Sequence, residues 1–151
     1  MTKPEKKLRH VRLELARDQD FPNGSNRHGY EFIAPLDKQG HIDLEAWKAL
    51  RDRSRVRRFW GNETEEVGHI VHRRGNVWAF HYDIHGDPAH DEAGYHFETH
   101  KFAPGEYVSL KEQDGTLRTF RVVAVGGVEE SLSDAGEISP LLASPPEPER
   151  G

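Results

Sequence analysis

Between residues 55 and 125 the chain repeats one kind of segment. "VRRFW", "EVGHIVHR", "VWAFHYDIH", "YHFETH", "EYVSLKE" and "TFRVVAV" follow one another, each rich in β-branched and aromatic residues. Gly, Asn, Asp or Pro falls between most of them. Short alternating runs with turn residues between them read as strands joined by tight connections. Such a succession has to form an antiparallel sheet, and this many strands must curl or close to bury one face.

The part before residue 55 adds two more strands and a helix. In "HVRLELA", residues 10–16, Val11, Leu13 and Leu15 alternate with Arg12 and Glu14, the period of a half-buried strand. A turn-rich segment "RDQDFPNGSNRHG" separates it from "YEFIAP", a second short strand. Asp43 is placed to cap a helix, because its carboxylate can accept from free backbone N–H groups. Ile42 and Trp47 then occupy the N′ and N4 positions of a hydrophobic staple. Leu44, Trp47 and Leu50 line one face, and the helix should end by Ser54.

Two hairpin registers follow from matching apolar faces. A two-residue turn at Gly75-Asn76 pairs Val71 with Phe80 and His69 with Tyr82. It puts Val67 and Val71 on the face of Trp78, Phe80 and Tyr82. A turn with Gly115 at its apex pairs Val108 with Val122, Leu110 with Phe120, and Glu112 with Arg118. The expected fold is mainly β, in the α+β class: a small antiparallel β-barrel or strongly bent sheet of seven to eight strands with one short helix. The domain reading is a flexible N-terminus over 1–8, a single β-rich domain over 9–128, and a disordered tail over 129–151.

Charge supports that division. The chain carries a formal net charge of −5, and residues 129–151 hold six acids and one base, which accounts for all of it. Residues 1–128 are therefore neutral, and a neutral domain gives no overall electrostatic case for nucleic acid. There are no cysteines, which excludes disulfides, thiolate zinc sites and cysteine nucleophiles. That fits a reducing, cytoplasmic setting. No segment has the apolar length of a signal peptide or a membrane span.

The most distinctive chemistry is a doubled pattern, His-x-acid-x-His, at His81-Asp83-His85 and His96-Glu98-His100. On a strand, residues two apart share a face. If the two segments are antiparallel neighbours with His90 and Asp91 at the apex, His81 faces His100, Asp83 faces Glu98, and His85 faces His96. Ile84 then meets Phe97 on the other side. Opposed carboxylates repel, and protonated histidines or a divalent transition metal would offset that; imidazole and carboxylate suit such a metal. Asp83 and Glu98 are also the one carboxylate pair this register brings together. His69 falls on the apolar face opposite Tyr82, whereas His72 falls beside His81 and Asp83 as an extra ligand.

A second candidate is "RDRSRVRRFW", in which Arg55, Arg57 and Arg58 stand beside Phe59 and Trp60. Arginine next to aromatics is the local chemistry of phosphate or nucleic-acid contact. Strand alternation, however, sends Arg57 and Arg58 to opposite faces. No nucleophile elbow, phosphate loop or HExxH is present. The leading expectation is a non-catalytic module that binds a protein or small ligand. A metal-binding protein or metal-dependent enzyme using the histidine hairpin comes second, with a divalent transition metal as its cofactor. Phosphate or nucleic-acid binding through the arginine run comes third.

Overall fold

The computed structural model describes residues 4–84 and 91–128. After a 3-10 turn at Pro4–Lys7, β1 (Leu8–Leu15) begins two residues earlier than the alternation suggested. Its Val11, Leu13 and Leu15 are buried as expected. The second strand, β2 (Ser25–Pro35), is longer than "YEFIAP", because the apparently turn-like "SNRHG" also pairs. Gly29 permits this: a Cβ there would lie 2.0 Å from the Leu13 carbonyl oxygen, so only glycine lets the two strands approach.

The helix α1 (Leu44–Ala49) is capped by Asp43, whose side chain accepts from the Ala46 N–H. Lys7 Nζ binds the other carboxylate oxygen of Asp43 at 2.6 Å and lowers its pKa. Trp47 is buried, and its indole N–H donates to the Ile70 carbonyl at 3.1 Å. The chain then makes a 3-10 turn, Arg51–Arg53, and Ser54 is buried with its hydroxyl on the Leu50 carbonyl.

Six strands follow: β3 (Arg55–Trp60), β4 (Glu66–Arg73), β5 (Val77–Tyr82), β6 (Glu92–Tyr95), β7 (Tyr107–Lys111) and β8 (Leu117–Gly127). Each pairs antiparallel with the next, and β8 returns to β1, so the sheet closes into an eight-stranded barrel. Closure removes the edges that an open sheet would expose.

The registers of the β4–β5 and β7–β8 hairpins both differ from those expected. β4 pairs Ile70 with Phe80 and His69 with His81, a slip of one residue. The connection uses three residues, Arg74, Gly75 and Asn76, with positive φ at Gly75 and Asn76. One residue of slip exchanges the two faces. Hence Ile70, not Val71, is buried, and His72 lies opposite Trp78 while His69 faces outward. In the last hairpin Val108 pairs with Phe120 and Leu110 with Arg118, a shift of two. A two-residue shift keeps the faces, so Val108, Leu110, Phe120 and Val122 are all buried. Gly115 takes the left-handed position of a three-residue turn, and the Glu112 N–H donates to the Thr116 carbonyl.

Side chains fill the barrel. Tyr30, Phe32, Trp78, Phe80, Tyr82 and Phe120 converge on its axis, with ring centroids 5.0 Å apart for Tyr30 and Phe120 and 5.2 Å for Tyr30 and Phe80. An eight-stranded barrel is just wide enough to be filled in this way. Connections after β2, β4 and β6 gather at one end, where Trp47, Phe97 and Phe102 join this core. Connections after β1, β3 and β7 gather at the other end. No helix among the described residues is long and apolar enough to cross a membrane.

Candidate functional site

The end of the barrel away from the helix is polar inside. Alternation along β3 turns Val56, Arg58 and Trp60 inward, and β6 turns Glu92 inward. Glu92 is 1% exposed and Glu112 6%. The Tyr30 hydroxyl lies 2.6 Å from Glu112 Oε2 and 3.0 Å from Glu92 Oε1, and the Tyr82 hydroxyl donates to the same Glu92 oxygen at 2.7 Å. Arg58 approaches both carboxyls, its Nε 3.6 Å from Glu92 and its Nη2 3.7 Å from Glu112, while its Nε finds no hydrogen-bond acceptor. Arg118 donates to Glu112 at 3.1 Å and to Asp18 at 2.6 Å. Trp60 lies beneath both guanidiniums, at 4.4 Å from Arg58 and 5.4 Å from Arg118.

Burial sets the electrostatics. It raises the Glu92 pKa, and the charge of Glu112 adds to that; the Tyr82 hydroxyl and Arg58 oppose it, and the balance is about 7. The phenols of Tyr30 and Tyr82 stand well above their ordinary value, because burial and the neighbouring carboxylates both disfavour phenolate. Two buried phenols beside two carboxyls form a hydrogen-bonded network inside a filled barrel.

The histidine hairpin does not assemble. β6 is Glu92–Tyr95, and it pairs with β5 through Ala79–Ala93 and Phe80–Glu92, a register nine residues away from the one expected. Residues 96–99 form turns, with His96 at φ 56°. Phe97 is buried, whereas Ile84, its expected partner, is 80% exposed. His81 instead binds Asp91 at 2.6 Å, Asp83 sits 3.4 Å from His69, and His96 sits 3.5 Å from Glu98. His100 joins none of these pairs, and His85 and His90 lie outside the described residues. Among the described residues no group of three or more His, Asp or Glu is arranged to hold a metal. The close carboxyl pair is Glu92 with Glu112, not Asp83 with Glu98.

The arginine run is also divided. Arg57 lies outside the barrel, bound to Glu31 at 3.0 Å and Glu65 at 2.7 Å. Arg58 is inside, on Glu92 and Glu112. Arg55 stands on the outer face opposite His69. Glu31 also binds Arg12 at 2.8 Å and has His10 at 3.6 Å. Burial alone would raise the Glu31 pKa, but His10 and Arg57 outweigh it and hold it at about 2.

A surface groove of about 1000 Å3 runs over β1, the start of β2, β7 and β8. Arg17 and Arg121 line it with Tyr107, Thr119, Ser25, Asn26 and Glu14, which stands across from Arg121 on β1 and is bound to Arg12. Arg12, Arg57, Arg58, Arg73 and Arg118 each face a carboxylate. Arg17 and Arg121 are exposed and bind none among the described residues, as is also true of Arg27, Arg51, Arg53 and Arg74, which lie outside the groove. Sequence reasoning missed both features. Glu92 lies in "GDPAHDEAGY", whose Gly, Pro and Asp read as loop, and Arg17 and Arg121 are 104 positions apart.

No family model, curated protein or solved structure matches the chain.

Proposed function

We propose that the protein is a non-catalytic binding module that takes an acidic polypeptide segment in the groove over β1, β7 and β8. The supporting observation is the pair of exposed arginines, Arg17 and Arg121, that line one groove without a carboxylate partner. A guanidinium free of internal carboxylates is available for bidentate bonds to an incoming one. Ser25, Asn26 and Thr119 add hydrogen-bonding side chains for a peptide backbone, and Tyr107, 55% exposed, offers a ring to pack against. The filled interior argues against carriage of a small molecule inside the barrel.

Calorimetric titration of the full chain with a glutamate-rich peptide tests this reading. The expected result is binding that weakens as salt rises and falls by roughly tenfold or more when Arg17 and Arg121 are both replaced by alanine, the loss of charge-assisted hydrogen bonds. Binding unaffected by the double substitution, or no binding at low salt, would overturn it.

A further inference from the structure

One hydroxyl cannot satisfy two carboxylates. Tyr30 carries one proton, yet its oxygen is within hydrogen-bond distance of both Glu92 and Glu112. With both carboxyls ionised, Tyr30 would donate to one and turn a lone pair toward the other. A proton on Glu92 resolves the mismatch. Glu92 then donates to the Tyr30 oxygen, Tyr30 donates to Glu112, Tyr82 donates to Glu92, and Arg118 donates to Glu112. Each of those donors meets an acceptor, as a buried network favours, while Arg58 Nε beside them stays without one.

Glu92 is faced by Tyr30 from β2, Arg58 from β3, Tyr82 from β5, and Glu112 and the Gln113 N–H from the turn after β7. Arg118 of β8 reaches Glu112 and Asp18, with Asp20 at 3.3 Å. Glu63 lies 3.7 Å from Arg58, and Glu66 of β4 accepts from the Gln113 side chain at 3.0 Å. Arg118 is shared between Glu112 and the outer carboxylates Asp18 and Asp20. Among the described residues Arg58 is the cation beside Glu92, at 3.6 Å and without a hydrogen bond from its Nε. At 1% exposure that contact compensates an ionised Glu92 poorly.

The strand that carries Glu92 is the barrel's thinnest seam. β6 has four residues and only two paired positions with β5, one of which is Glu92 itself. We infer that Glu92 and Glu112 share one proton through Tyr30, and that this proton latches β6 to β5, so its loss opens the barrel at that seam. The latch is a structural role independent of the groove.

The test has two readouts on the full chain. Side-chain carboxyl carbons of 13C-labelled glutamate are followed by NMR from pH 4 to 9, with Glu92 assigned through bonds to its own backbone. Hydrogen exchange at Ala93 and Gly94 is measured over the same range. The expected result is a Glu92 carboxyl midpoint near neutrality, with protection at Ala93 and Gly94 falling beyond the intrinsic base-catalysed rate across that midpoint. In Glu92→Gln, an uncharged mimic of the protonated acid, the excess loss should vanish. A Glu92 midpoint below pH 5.5 overturns the proposal even if the variant fails to fold. So does an excess loss of protection that persists in Glu92→Gln.

Discussion

A Cβ on Gly94 would lie 2.4 Å from Cγ of Phe97, so the ring of Phe97 occupies the space a side chain at residue 94 would need. Phe97 is 1% exposed and closes the barrel against Phe80 and Phe102. The chain must therefore fold back at once after β6, and His96 takes a left-handed backbone to do so. Gly94→Ala should destabilise the fold by about 1–3 kcal/mol, the usual range for overpacking a filled core. Urea denaturation measures it; an unchanged midpoint would mean that Phe97 has room to move.

Trp47 joins the helix to the barrel. Its ring meets Trp78 edge-on at 5.2 Å, and its N–H holds the Ile70 carbonyl. Trp47→Ala should remove about 3–5 kcal/mol. A loss below about 1 kcal/mol would place the helix outside the cooperative core.

Stability should peak on the acid side of neutrality. The folded pKa of Glu92, about 7, lies above the ordinary 4.5. Its contribution is complete below pH 4.5 and is lost as pH rises through about 7, a change of roughly 3 kcal/mol at 1.36 kcal/mol per unit. Glu31, held at about 2, works the other way: its contribution is complete above pH 4.5 and is lost as pH falls toward 2. Asp18 and Asp43, also lowered, act in the same direction as Glu31. Melting midpoints from pH 3 to 9 should pass through a maximum near pH 4.5–5.5. A flat plateau from pH 5 to 9 would contradict the assignment of Glu92.

Val128 is 4% exposed and packs with Leu8, Ile33 and Leu50 outside the main core. A chain ending after Val128 should melt as the full chain does, because residues 129–151 are rich in Pro, Ser and Glu and have little apolar surface to bury. A chain ending after Gly126 should lose about 2 kcal/mol, the worth of a buried valine. Equal midpoints for all three would show that Val128 contributes nothing.

The helix was legible because its signals are local: Asp43, Ile42 and Trp47 each sit where a cap or staple requires them. The barrel was legible from alternation, which placed Val11, Leu13, Trp78, Phe80 and Tyr82 inside. Alternation cannot count turn residues, so β4 was expected one residue out of register. Nor can it see a ring folding back onto a glycine, which is why residues 95–100 read as a strand. Half of the polar end was visible. The Glu112–Arg118 pair fell on the apolar face of its hairpin, and that pair forms, although diagonally rather than directly opposite. Tyr82 fell on the apolar face with Trp78 and Phe80, whereas the strand holding Tyr30 was given no face. Their shared partner, Glu92, was hidden in a stretch whose composition signals loop.

The proposed binding uses the outside of a filled barrel, at Arg17 and Arg121. The most direct measurement is NMR chemical-shift mapping of the labelled full chain during titration with a glutamate-rich peptide. Binding in the groove should move the signals of Arg17, Ser25, Asn26, Tyr107, Thr119 and Arg121 and leave the ring signals of Tyr30, Phe80 and Tyr82 in place. Shifts centred on those interior rings, or on the His69 and His81 face, would contradict binding in the groove, as would no shift at millimolar peptide.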